Sequence, residues 1–359
     1  YHQPVMFASV KQELLRNAFG FGERREQEIL KNQGKMQRDS TVYLLAGLVV
    51  GVVVDYWTVI INGAALENAE LQLRETKRVR NIIAANVRIG LADAYDLNYY
   101  NTLVANSEAR AVSGRQAYRD AVRNLLRTLN LDEKTDLSGK ALLAANLPRV
   151  DVESSLKSAF ERRADYNNAL LTVKNAELSL DIHRNDGLPS VTAEVNVSSL
   201  GQQREMGEAY GDTTGMSYPA VEGKVALTYA FDNQTQKTNV RDARFQREQA
   251  RLQLDKYKRV VRDEVVGSVE RIGTRHQLYQ KAKEATRESE VYYDRLLANL
   301  RRGRLNAAVV KNGLDAIVAS RQQELEALVQ YNVSLLQLDL ATNSLFERFN
   351  INVDKYIPK

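Results

Sequence analysis

The chain has 359 residues, 44% of them hydrophobic, and its 50 basic and 45 acidic side chains leave a net charge of +5. Five prolines and 19 glycines are too few for a disordered or collagenous chain. Cysteine is absent, which excludes a disulfide framework, a thiolate zinc site and a cysteine nucleophile, and fits an exported protein. The charges alternate in sign along the chain instead of forming a basic block, so nucleic acid is not an expected partner.

Residues 1–20 are expected to hold one strand, Val5 to about Leu14, closing at Ala18-Phe19-Gly20. Residues 21–129 read as a first long helical hairpin. No proline falls between Gly22 and Ile89, a span of 68 residues or about 100 Å of helix. Periods this long point to coiled coils or helical arrays. Opposite charges sit at helical spacing, as in Glu75 and Arg78. Within this hairpin Ser40–Val54 is uncharged, and after Asp55 the apolar run resumes through Ile61. A membrane-spanning helix with one aspartate is one reading of it, and a helix buried between other helices is the preferred one. Residues 130–151, with Gly139 and Pro148, read as a connector, and 152–187 as a second-half helix.

In residues 188–232 the period changes to two. Val191, Ala193, Val195 and Val197 alternate with Thr192, Glu194, Asn196 and Ser198; then Val225, Leu227, Tyr229 and Phe231 alternate with Lys224, Ala226, Thr228 and Ala230. Each run is about ten residues, the length of a tilted membrane-spanning strand. Gly201–Val221 between them is glycine-rich and polar and reads as an exposed connecting loop. The pattern by itself fits a soluble hairpin with one buried face equally well. Residues 233–349 form a second long helical hairpin, with Leu325, Leu328, Val329, Val333, Leu336 and Leu340 at spacings of three and four, and 350–359 a tail.

The two halves repeat. Gly90 to Gly303 and Tyr118 to Tyr331 are both 213 residues, and Phe19 to Phe231 is 212. Each half reads strand, long helix, glycine turn, returning helix. The second half adds a strand and a preceding helix, so the duplication predicts a further strand and helix ahead of Tyr1.

Several segments resemble the TolC-like family of outer-membrane efflux and secretion channels. They are Ala159-Phe160-Glu161-Arg162-Arg163-Ala164-Asp165-Tyr166, the helix-into-strand junction Gly187-Leu188-Pro189-Ser190-Val191, and Tyr331-Asn332-Val333-Ser334-Leu335. Ile89-Gly90-Leu91-Ala92-Asp93-Ala94-Tyr95-Asp96-Leu97 resembles the first periplasmic tip and Arg302-Gly303-Arg304-Leu305-Asn306 the second. The resemblance spans essentially the whole chain. It implies a mainly helical protein with a membrane β part: a homotrimer whose protomers share a 12-stranded transmembrane barrel, continued by a long α-helical coiled-coil barrel across the periplasm. It further implies a location in the outer membrane of a Gram-negative bacterium. Partners would be outer-membrane lipid, a periplasmic adaptor (membrane fusion protein) and an inner-membrane transporter. The function would be that of exit duct for a tripartite efflux pump or a type I secretion system.

On this resemblance Gly90, Leu91, Gly303, Arg304 and Leu305 are the adaptor-docking tips, with the glycines supplying the turns. Arg301, Arg302 and Arg304 either contact an acidic adaptor or solvate the tip. Asp96 and Asp315 are the candidates for an aperture gate, with Lys311 and Asn312 nearby casting doubt on an acidic ring. The spacing from Gly303 to Asp315 runs about three residues beyond the family pattern. Val191, Val195, Val197, Val225, Leu227, Tyr229 and Phe231 are the expected lipid-facing strand positions, and Tyr1, Tyr210, Tyr218 and Tyr229 suit interfacial girdles. No enzyme, metal or cofactor is expected. His2, His183 and His276 are far apart, and there is no phosphate loop or nucleophile elbow. The alternative is a soluble periplasmic coiled-coil adaptor or interaction protein, although the paired-glycine lipoyl-like domain of an adaptor is missing.

Overall fold

The computed structural model describes residues 1–135 and 143–357. The expected connector at 130–151 therefore falls in part, Gly139 included, outside the described residues. In chain order the elements are β1 (Val5–Glu13), α1 (Phe21–Arg88), α2 (Ala94–Thr128), α3 (Val152–Arg162), α4 (Ala164–Asp186), β2 (Ser190–Leu200), α5 (Met206–Thr214), β3 (Pro219–Thr228), α6 (Gln234–Arg301), α7 (Ala307–Ala341) and α8 (Leu345–Arg348). The fold is mostly helical, with one three-stranded sheet.

The helices carry the repeat at residue resolution. Both α1 and α6 have 68 residues and both α2 and α7 have 35, with each boundary displaced by 213. The turns match as well. Gly90 and Gly303 take φ of +75° and +68°, and Asn130 and Asn343, past the returning helices, both take +53°. These are left-handed positions that glycine adopts without strain and asparagine tolerates.

Two compact units divide the chain: Tyr1–Ser40 with Ala164–Arg259, and Thr41–Arg163 with Val260–Lys359. In the first, the strands pair antiparallel in the order β1-β2-β3. Three ion pairs, Glu28–Lys174, Arg25–Asp181 and Glu177–Arg251, join helices of this unit. All are partly exposed, so they fix helix register more than they stabilise.

The segment between β2 and β3 departs from the expected open loop, because it contains α5. Met206–Thr214 includes Gly207 and Gly211, each costing a helix about 1 kcal/mol relative to alanine. Tertiary contact offsets this: Ala209 and Thr213 are buried, and Thr213 Oγ1 donates to Pro4 O at 3.1 Å. A Cβ at Gly201 would lie 2.0 Å from Ala209 O, so only glycine allows this seat. A second departure is the end of β3. Tyr229 and Phe231, expected within the strand, lie beyond its last residue Thr228, which pairs with Ser190. The residue before Ser190 is Pro189, which has no N–H to extend the ladder. The helix expected over 152–187 also breaks, at Arg163, whose backbone is extended (ψ 125°).

Among the described residues the second unit holds four apolar clusters. The largest gathers Val79 and Ile83 of α1, Tyr100 of α2, Leu296, Leu297 and Leu300 of α6, and Val310, Leu314 and Ile317 of α7. Another seats Ala46 of α1 on Leu336 and Leu345, with Val49, Val50, Val53 and Trp57 around it. A second face of this apolar segment of α1, through Val52 and Val59, packs on Ala121 and Leu125 of α2, and the rest is open. Its most apolar 18-residue window is 11% buried, and Tyr43, Leu44 and Leu48 are exposed, in contrast to the expected burial between helices.

Candidate functional site

At the α1–α2 turn, Gly90 N–H donates to Val87 O (3.2 Å) and Leu91 N–H to Asn86 O (2.8 Å). At the α6–α7 turn, Gly303 N–H donates to Leu300 O (2.9 Å) and Arg304 N–H to Asn299 O (3.1 Å). Both are the paired bonds with which a left-handed residue ends a helix. Asn306 then caps α7, its Oδ1 accepting from Ala308 N–H at 2.7 Å. The turns adjoin: Leu91 Cδ1 lies 3.6 Å from where a Gly303 Cβ would stand. Leu91 is 62% exposed, whereas Leu305 packs half-buried against the core beneath the turn. Sequence reasoning missed two exposed apolar neighbours, Ile89 (68%) and Tyr95. Arg88, Arg301, Arg302 and Arg304 have no ion-pair partner among the described residues.

Behind the turns, a groove of about 570 Å³ runs between α1, α2 and α7. Its polar lining is a relay across three helices. Arg110 donates to Gln72 Oε1 (3.2 Å), Gln72 Nε2 donates to Asp315 Oδ1 (3.3 Å), and Lys311 Nζ sits 2.6 Å from Asp315 Oδ2. The Asp315 carboxylate, through this hydrogen bond and its charge, holds Lys311 above the ordinary lysine range. Lys311 and Asp315 thus come together as a pair. Asn312 is exposed and outside the groove, and Asp96, in the first turn of α2, is half-buried and does not line it. Gln72 and Arg110, unremarked in the sequence, complete the relay. Their partners lie 38 and 243 residues away, a separation with no local signature.

Next to the groove two phenols are buried. Tyr100 donates to Ala307 O at 2.7 Å and Tyr293 donates to a Glu75 carboxylate oxygen at 3.0 Å. Burial pushes both phenol pKa values well above the ordinary value near 10, with Glu75 adding to the effect at Tyr293. The folded state therefore holds these protons more tightly than the unfolded chain. Their contribution is complete below about pH 10 and is lost as pH rises beyond it. Chemical-denaturation midpoints between pH 8 and 12 should fall at the alkaline end, and replacing both tyrosines with phenylalanine should flatten that fall.

The sheet separates its side chains by face. The register aligns Met6, Ala8 and Val10 of β1 with Ser199, Val197 and Val195 of β2, then Val197, Ala193 and Val191 with Val221, Val225 and Leu227 of β3. This face is apolar and exposed: Val10, Val195, Val221, Val225 and Leu227 all lie open. Across the opposite face Lys11, Glu194 and Lys224 stand in one row with alternating sign. Exposed aromatics bracket the strands, Tyr1, Tyr210 and Tyr218 beyond one end, and Phe19, Tyr229 and Phe231 beyond the other. Among the described residues no group of three or more His, Asp or Glu side chains is placed to hold a metal ion.

This duplicated arrangement of strands and paired long helices is the TolC-like fold of outer-membrane channels. The chain aligns over 95% of its length with the outer-membrane channel OprN (TM-score 0.73, 14% identity, 81% of that chain). It aligns equally far with the outer membrane protein VceC of Vibrio cholerae (0.71, 12% identity, 87% of that chain) and with the open state of the Neisseria gonorrhoeae MtrE outer membrane channel (0.72, 15% identity, 80% of that chain). No protein-family model and no curated protein matches the sequence.

Proposed function

We propose that the chain is one protomer of a homotrimeric exit duct in the outer membrane of a Gram-negative bacterium, coupled through a periplasmic adaptor to an inner-membrane transporter. The observation that carries this reading is the sheet. Val10, Val195, Val221, Val225 and Leu227 lie open on its apolar face, and its outer strands leave one edge each unpaired, an arrangement that lipid permits only in a closed barrel. Strands shared between copies would close one barrel, with the Lys11–Glu194–Lys224 row facing the lumen and the valines facing lipid. The duct would serve tripartite efflux or type I secretion.

The helical turns would be the periplasmic tips. Ile89, Leu91 and Tyr95 offer apolar contact there, and the unpaired Arg88, Arg301, Arg302 and Arg304 favour an adaptor with acidic side chains. The groove relay would be the aperture. With Lys311 beside Asp315 the threefold ring carries paired charges rather than bare carboxylates, and its opening requires that the relay between α1, α2 and α7 be broken. Asp96 would stand as a separate acidic ring nearer the turn.

Detergent extraction of the outer-membrane fraction followed by mass measurement should recover a trimer, and recovery as a soluble monomer would favour the adaptor reading. In planar bilayers, Asp315→Ala should raise single-channel current and shift ion preference toward anions, because Lys311 is left unpaired. Asp96→Ala should shift preference the same way with less effect on current. Unaltered conductance and selectivity in both variants would remove the gate assignment.

A further inference from the structure

Between Asp39 and Glu67 the only charged residue is Asp55. The stretch around it contains an 18-residue window of mean hydropathy 2.2, long and apolar enough to cross a membrane. A segment of this composition emerging into an inner-membrane translocon partitions sideways into lipid and halts the chain, whereas an aspartate within it opposes insertion strongly.

The folded protein makes little use of the charge at Asp55. Its carboxylate accepts hydrogen bonds from Thr128 Oγ1 (2.7 Å) and Asn124 Nδ2 (3.2 Å), both neutral donors. No cation pairs with it among the described residues. Several other carboxylates of the helical hairpins do pair with a cation: Glu70 with Arg115, Glu75 with Arg78, Glu108 with Lys77, and Asp315 with Lys311. The two bonds end on different carboxylate oxygens, so an asparagine at position 55, with its single amide oxygen, would accept only one of them. Among the described residues the fold thus answers this charge with neutral donors and no cation, at a position where it divides the apolar run.

We infer that Asp55 is a topogenic residue. Its charge acts before folding, keeping the 41–61 stretch from stopping in the inner membrane while the chain is exported. This rests on the reading of the protein as an outer-membrane component. The apolar run itself serves the folded state through the face that seats on Leu336 and Leu345, so it cannot simply be made polar throughout. One charge on another face of the helix resolves the conflict between packing and transit.

The test uses the full-length protein with single-cysteine reporters, which the cysteine-free sequence allows. Glu26→Cys lies ahead of the stretch and Lys281→Cys lies after it, both at exposed positions. Membranes are separated by density, and cells with permeabilised outer membranes are treated with a membrane-impermeant maleimide. The native residue at 55 should give outer-membrane protein labelled at both reporters. Asp55→Leu should raise the inner-membrane fraction about tenfold or more, with position 26 labelled and position 281 shielded. The Asn124→Ala/Thr128→Val variant keeps the charge but removes both hydrogen bonds, and should export normally. The inference is overturned if Asp55→Leu reaches the outer membrane at the native level, if it is retained but labelled at both positions, or if the double variant is trapped as strongly. Native protein absent from the outer membrane would instead overturn the duct reading beneath it.

Discussion

Val195→Arg should abolish assembly into the outer membrane, while the adjacent Asn196→Arg should assemble and alter only ion preference. Val195 sits mid-way along the central strand, opposite Val10 on one side and Gly223 on the other, and is 49% exposed. Asn196 projects from the opposite face in register with Ser9 and Glu222. On a lipid-facing position near the bilayer midplane, arginine costs about 2–4 kcal/mol, and a trimer carries the cost three times. In a water-filled lumen the same side chain stays hydrated. A soluble hairpin predicts otherwise: at an exposed position in water, Val195→Arg changes stability by about 0.5 kcal/mol or less. The amount of trimer in the outer-membrane fraction, measured for both variants, separates these cases. Equal yields would remove the lipid-facing assignment, and with it the strongest support for a membrane barrel.

Such opposite expectations for consecutive residues were legible in the sequence, because a period of two fixes which side chains share a face whatever surrounds the sheet. Long helices and their turns were legible for a similar reason. An uninterrupted span between glycines at a 213-residue offset leaves few alternatives, and the boundaries of α1, α2, α6 and α7 follow that offset. Features decided by distant contacts were not legible. The α5 helix contains two glycines and forms because Ala209 and Thr213 seat on strand ends. The break at Arg163 is fixed with an ion pair to Glu264, 101 residues on. The Arg110–Gln72–Asp315 relay joins three helices whose spacing is set by packing. The exposed valines and leucines of α1 misled for a further reason: composition gives the need for cover but not its source.

Tyr331→Ala should destabilise the protein by about 3–5 kcal/mol, against about 1 kcal/mol for Tyr331→Phe. Tyr331 is 0% exposed, packed with Ile272 and Leu335, and its ring stands 5.2 Å from that of His276. Its hydroxyl donates to Asn146 O at 2.6 Å. Beside it, Asn332 accepts from Ala144 N–H (2.9 Å) and donates to Ala144 O (3.0 Å), while His276 contacts Ala145 O at 3.2 Å. Residues 143–150 have no helix or strand to satisfy their backbone, so these side chains supply the partners. Removing the tyrosine ring opens a cavity and frees the segment together, and cleavage after Arg149 by trypsin should accelerate along with the loss of thermal stability. The phenylalanine variant should keep the segment protected, and equal effects of the two substitutions would show that the hydroxyl rather than the ring is the anchor. Tyr118, 213 residues earlier, is only half-buried and lies against Gly63, Val59 and Leu125. Tyr118→Ala should accordingly cost less and leave the Arg149 site untouched: the two tyrosines share a place in the repeat, but among the described residues it is Tyr331 that is fully buried and hydrogen-bonded to the 143–150 segment.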